Sequence, residues 1–209
     1  DMKSNVAVIL ELLNNINSPY NIALFITSDE EIDGNCVYEL LKIYKTKLAI
    51  VPDGGTNFQL IKEEKGLLQL ELSINTKSAH ASQPFNGENA IVSLYQVYDK
   101  LIKKYPLPQS NKEYITSINL STIVGGTAIN QVPDTATMKL DIRHIAKDKK
   151  EDFINYIKEI NPDIKIKTIL EGSVFKTNIE NKEIKKYLNI CKKHLKKDIE
   201  IIGCESTSD

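Results

Sequence analysis

Two hydrophobic periods alternate between residues 67 and 172, and this alternation limits the possible folds of the chain more than any other feature. Gln69-Leu70-Glu71-Leu72-Ser73-Ile74 alternates polar and apolar residues, as a strand covered on one face does. Residues 89–105 carry Ile91, Leu94, Tyr95, Tyr98, Leu101 and Ile102 at helical spacing, and Pro106 and Pro108 stop the pattern. Residues 117–124 alternate again, with Ile118 and Leu120 on one face, and end at Gly125-Gly126. Residues 136–144 set Met138, Leu140 and Ile142 against Lys139, Asp141 and Arg143. A helical stretch with Phe153, Ile157 and Ile160 follows, and residues 164–170 form a last strand. The order is β-α-β-β-α-β, the split βαβ or ferredoxin-like arrangement, with Gly66 and Gly172 at its borders.

The flanking sequence has a different character. Val6, Ile9, Leu10, Leu13 and Ile16 form a helical stripe that ends at Ser18-Pro19. Ile22-Ala23-Leu24-Phe25-Ile26 and Leu48-Ala49-Ile50-Val51 are continuous apolar runs, expected as buried strands, with a helix over residues 35–44 between them. A further helix over residues 187–195 and a short strand at Ile199, Ile201 and Ile202 close the chain. Continuous rather than alternating strands imply a sheet covered by helices on both sides. The chain is therefore expected to be an α/β domain, residues 1–66 and 173–209, interrupted by an α+β unit at 67–172.

In such sheets ligands collect at the carboxyl ends of strands. Asp29, Glu30 and Glu31 follow the first apolar run, and Asp53 follows the second. Three adjacent carboxylates at the end of a buried strand are costly unless something positive sits among them, and a divalent metal is the simplest such object. The alternative is a solvated acidic loop.

Composition narrows the partners. The 209 residues are 41% apolar and 26% charged with a net charge of −1, so no basic field draws nucleic acid or an anionic membrane. RNA-recognition modules share the split topology, but these strands lack the aromatic residues that stack bases. No apolar run approaches a membrane span. Three scattered cysteines, Cys36, Cys191 and Cys204, argue against a disulfide framework or a cysteine zinc site, and point to the cytoplasm. The opening Asp1-Met2-Lys3 and the closing Asp209 read as cut from a longer protein.

Six motifs in order resemble one family. They are Asp1-Met2-Lys3, Ser28-Asp29-Glu30-Glu31, Val51-Pro52-Asp53-Gly54-Gly55, Lys77-Ser78-Ala79-His80-Ala81-Ser82-Gln83-Pro84 with Gly87-Glu88-Asn89-Ala90, Gly125-Gly126-Thr127-Ala128-Ile129-Asn130-Gln131-Val132-Pro133-Asp134, and Asp141-Ile142-Arg143. The chain resembles the dizinc amidohydrolases and peptidases that include acetylornithine deacetylase, succinyl-diaminopimelate desuccinylase, aminoacylase and glutamate carboxypeptidase. The resemblance implies a zinc-exopeptidase-like α/β domain holding two zinc ions, with cobalt or manganese as substitutes, and an inserted lid that forms a homodimer. It implies Asp1 as the carboxylate bridging both metals, Glu31 and Asp53 as ligands to one each, and Glu30 as general base. His80 would stabilise the tetrahedral oxyanion, while Asn130 and Arg143 hold the substrate, the guanidinium suiting a carboxylate. The implied reaction is hydrolysis of an amide bond in a short peptide or N-acyl amino acid with a free carboxylate. Asp rather than Glu at position 53 leans toward the peptidases. The rival readings are an acetylornithine- or succinyl-diaminopimelate-type deacylase and a non-catalytic binding or dimerisation protein. An intact Glu30 speaks against the latter. Arg143 could equally form a surface ion pair, and His144 and His194 belong to no motif.

The family also uses two histidine ligands, one just before the bridging aspartate and one beyond a serine–aspartate signature that residues 205–209 resemble. Neither position falls within these 209 residues. The chain by itself is therefore expected to bind zinc poorly and to be inactive. Elemental analysis of the purified 209-residue chain tests this, and a content near two zinc ions per chain would overturn it.

Overall fold

A computed structural model of the chain describes residues 3–29, 35–53, 58–110 and 112–206. They divide into two compact units, residues 1–61 with 179–201 and 208–209, and residues 62–178 with 202–207. Residues 1–2, 30–34, 54–57, 111 and 207–209 of these spans lie outside the described set.

The second unit is built on a four-stranded antiparallel sheet. Strand β2 (Gly66–Asn75) pairs with β6 (Thr135–His144) over ten consecutive residues, from Gly66↔His144 to Asn75↔Thr135. Strands β4 (Ser117–Gly125) and β7 (Lys165–Gly172) flank this pair, giving the order β4-β6-β2-β7. Each flanking strand slips register once, between Leu120 and Thr122 and opposite Gln69/Leu70. This is the β-α-β-β-α-β arrangement expected from the alternation.

Pleating explains the partition of side chains. Leu68, Leu70, Leu72 and Ile74 of β2 and Ala136, Met138, Leu140 and Ile142 of β6 all face one side and are buried. Helix α3 (Ala90–Lys104) covers them with Ala90, Leu94, Val97 and Leu101, and α4 (Lys150–Ile160) with Phe153 and Ile157. Asn89 starts α3 by accepting from the N–H groups of Ile91 and Val92 at 3.0 and 3.2 Å. The outer face pairs its polar residues across strands. Gln69 donates to Asp141 at 2.9 Å, and Lys139 lies 3.9 Å from Glu71.

A second sheet runs in the order β8-β1-β9, from β8 (Phe175–Lys176), β1 (Leu60–Glu64) and β9 (Ile201–Cys204). Lys65, just after β1, is fully buried, ion-paired with Glu205, and its ammonium lies 5.5 Å from the centre of the Tyr114 ring. Burial and the carboxylates of Glu63 and Glu205 push the Tyr114 hydroxyl far above its ordinary range.

The first unit contains α1 (Lys3–Asn15), α2 (Asn35–Ile43) and α5 (Lys182–Leu195). The two continuous apolar runs at 22–26 and 48–51 are not strands. A strand of that kind needs neighbours on both edges and helices on both faces. Here Ile26, Ile50 and Val51 stand 59%, 67% and 68% exposed, and no described residue of this unit is buried. Helix α5 starts five residues earlier than its apolar stripe suggests, because the Asn181 side chain accepts from the Glu183 N–H at 2.8 Å. Among the described residues no helix is long and apolar enough to cross a membrane.

Asp29 is bonded to the first turn of α2. Its Oδ2 accepts from the Cys36 N–H at 2.8 Å, in the first turn of α2, where backbone donors lack helical partners. That bond holds its carboxyl below the usual range.

Two predictions come from this architecture. Leu140, at the centre of the core, should lose about 2–5 kcal/mol of stability as Leu140→Ala. Urea unfolding of the lid signal reads this, and a loss under about 1 kcal/mol would mean the core is not packed as described. For Asp29 the folded pKa is depressed, so its contribution is present above the unfolded value of about 3.9 and vanishes as pH falls through the lower folded value. Asp29→Asn should therefore reduce protection of the Cys36 amide at about pH 6, the difference shrinking as pH falls through the lower folded value. A protection ratio independent of pH would sink the capping role.

Candidate functional site

The candidate residues of the second unit, His80 and Asn130, lie where β2 ends and β6 begins. Strand β3 (Ala79–His80) pairs antiparallel with β5 (Gln131–Val132), placing Ala79 opposite Val132 and His80 opposite Gln131. This two-residue ribbon is continued toward the main sheet by a backbone bond from Thr76 N–H to Asp134 O at 2.7 Å and tied to α3 by one from Ala90 N–H to Pro133 O at 2.9 Å. The chain doubles back at Gly87, where a Cβ would stand 2.6 Å from the Lys77 carbonyl oxygen, so only glycine permits that approach. Ala81 N–H extends the ribbon to Asn130 O at 2.9 Å, and Gln83 N–H closes a turn on His80 O at 2.9 Å.

Side chains then lock the strands together. Thr127 Oγ1 donates to Gln131 Oε1 at 3.2 Å, Gln131 Nε2 donates to Ser78 Oγ at 2.7 Å, and Ser78 Oγ donates to Val132 O at 3.1 Å. His80 Nδ1 lies 2.8 Å from Ser82 Oγ and accepts from the Ser82 N–H at 3.2 Å. Ser78, Ala79, His80, Asn130 and Gln131 line an open cleft of about 340 Å³.

The structure thus brings His80 and Asn130 together. It does not bring Arg143 to them within one chain. Arg143 stands eight residues along β6 from Thr135, about 26 Å at the rise of a strand. Its Nε donates to Asp141 Oδ1 at 2.8 Å on the outer face of the sheet, the ion pair that its alternating strand allowed for. His144 is a core residue, buried beside Phe153 and packed on Gly66, where any side chain would collide with its ring. His194 lies in the last, basic turn of α5.

Of the expected catalytic and metal residues, Asp1, Glu30 and Glu31 lie outside the described residues. Asp53 is exposed, just after Pro52, whose carbonyl accepts from Asn5 Nδ2 at 2.5 Å. Among the described residues no group of three His, Cys, Asp or Glu side chains stands close enough to hold a metal ion. The described part of the chain therefore offers such a site one carboxylate donor, not the site itself.

Motif reading quoted Ser78, Ser82 and Gln131 without giving them a role. The signal for them was weak: each is a common polar residue whose partner is set by the ribbon's register.

The second unit is a ferredoxin-like arrangement that presents a histidine and an asparagine at one end of its sheet. Residues 62–168 match the family described as the peptidase dimerisation domain. Over 157 residues the chain is 30% identical to an acetylornithine deacetylase of Buchnera aphidicola, which covers 69% of this chain and 41% of that protein. An uncharacterised metallohydrolase of Methanocaldococcus jannaschii is 28% identical over 214 residues, 99% of this chain and 60% of that protein. Among solved structures, a tripeptidase of Staphylococcus aureus shares the fold with a TM-score of 0.61 at 18% identity, over 80% of this chain and 46% of that one. The chain spans about two fifths of the length of the deacetylases it matches, 41% in the case above. It belongs to the M20 family of peptidases and deacetylases and carries that family's dimerisation domain.

Proposed function

We infer that the chain forms the lid and part of the catalytic region of a metal-dependent hydrolase. It cleaves an amide bond beside a free carboxylate, in a short peptide or an N-acyl amino acid. The observation that carries this reading is the ribbon. It sets His80 and Asn130 on the wall of one cleft, with the imidazole Nε2 unbonded by any described residue. The names of the relatives, a deacetylase and a tripeptidase among them, support amide chemistry.

Attack on an amide carbonyl moves negative charge onto its oxygen. A fixed N–H donor aimed at that oxygen is worth about 10²–10³ in rate. His80 takes this role, and the Asn130 amide helps hold the substrate. Arg143 is assigned the substrate carboxylate, since a guanidinium matches it with two parallel bonds. Glu30 is the base that takes a proton from the attacking water and returns it to the leaving amine. Asp1, Glu31 and Asp53 are oxygen donors of the kind that zinc, cobalt or manganese accepts, and two zinc ions are the proposed complement. A bound ion of this type supplies a water of lowered pKa. Catalytic function is assigned to residues 1–66 and 173–209 and the lid to 67–172, with two copies joined through the lid, in the cytoplasm. The identity to acetylornithine deacetylase favours a second reading, a deacylase of amino-acid biosynthesis.

Assay of the full-length protein, with zinc, cobalt or manganese, against a panel of N-acyl amino acids and dipeptides separates the two. In that protein Glu30→Gln should lower kcat by about 10²–10⁴-fold with metal content unchanged. Surviving turnover would show that Glu30 is not the base.

A further inference from the structure

We propose that Ser82 is a positioning residue whose backbone N–H decides which nitrogen of His80 carries the proton. The backbone around it is held from both sides. Ala81 N–H reaches Asn130 O, and Gln83 N–H reaches His80 O, each at 2.9 Å. Between these two bonds the Ser82 N–H finds no carbonyl among the described residues. Its acceptor is His80 Nδ1, at 3.2 Å. A backbone N–H can only donate, so Nδ1 must present its lone pair. The neutral ring then keeps its proton on Nε2. The Ser82 hydroxyl, 2.8 Å from the same nitrogen, is left to act as a second donor to it.

The consequence is chemical. No described residue bonds Nε2, and His80 lines the cleft with Asn130. His80 therefore offers the cleft an N–H, which suits a carbonyl oxygen or an oxyanion. In this state its Nε2 has no lone pair for a metal ion or for taking up a proton. The proton's location follows from the turn alone. What Nε2–H acts upon rests on the amide-hydrolase reading above.

Nitrogen-15 spectra of the histidine-labelled 209-residue chain test the proposal, with His80→Gln identifying the resonances. Above the ring's titration, the Nδ1 signal of His80 should lie in the unprotonated range and the Nε2 signal in the protonated range. Ser82→Ala keeps the backbone N–H and should leave this pattern in place, whereas Ser82→Pro removes that donor and should move both signals toward averaged values. A wild-type ring protonated on Nδ1, or a pattern unchanged in Ser82→Pro, overturns the proposal. In the full-length enzyme Ser82→Pro should lower kcat about tenfold with KM within about twofold, and Ser82→Ala should retain most of the activity. A change confined to KM would also overturn it. Should the tautomer be as stated while His80→Gln leaves turnover intact, the amide-hydrolase role of His80 falls and the assignment to Ser82 stands.

Discussion

Ten consecutive residue pairs join β2 to β6, and the placing of His80 and Asn130 depends on that register. A slip by one residue would turn Glu71 into the core and Leu70 out of it, because side chains alternate with a period of two. The apolar rows ending at Ile74 and beginning at Ala136 make such a slip prohibitive. The register also determines what happens at the far end of the pair. The chain leaves β2 at Asn75 and returns at Thr135, so the segments beyond them emerge side by side and can pair again as β3 and β5. His80 is thus located by a core it does not touch.

The lid was legible in the sequence because each strand has one wet face and one dry face, and the period of the pattern reports that contrast. The apolar runs at 22–26 and 48–51 failed for the complementary reason. An apolar run records a capacity for burial and carries no information about whether neighbours are there to bury it. The ribbon escaped notice because two-residue strands are too short to show any period. Lys65 could not have been found at all. Its partner Glu205 lies 140 positions away, and in sequence it is one lysine in Glu63-Glu64-Lys65-Gly66. A buried ammonium must be paired, and this one ties the segment after β9 into the lid.

The candidate site divides along the same line. His80 and Asn130 were legible as members of motifs, and the ribbon joins them. The state of the His80 ring was not legible, since it depends on where one backbone N–H points. That direction is fixed by two neighbouring hydrogen bonds, not by residue type. Arg143 shows the converse. Its motif suggested substrate binding, while its strand parity put it on the outer face beside Asp141, where pairing with a carboxylate is the local outcome.

The lid settles the direction of a donor, not its strength. His80 is exposed in the described chain, where water screens a charge interaction more than a closed site does. Strength comes from excluding water, as in an active site closed around its substrate. Direction must exist beforehand, because a ring that reorients during the reaction spends free energy that should stabilise charge. A rigid sheet, a ribbon tied by Gln131 and Ser78, and a turn whose only spare N–H faces the ring meet that requirement before any substrate arrives.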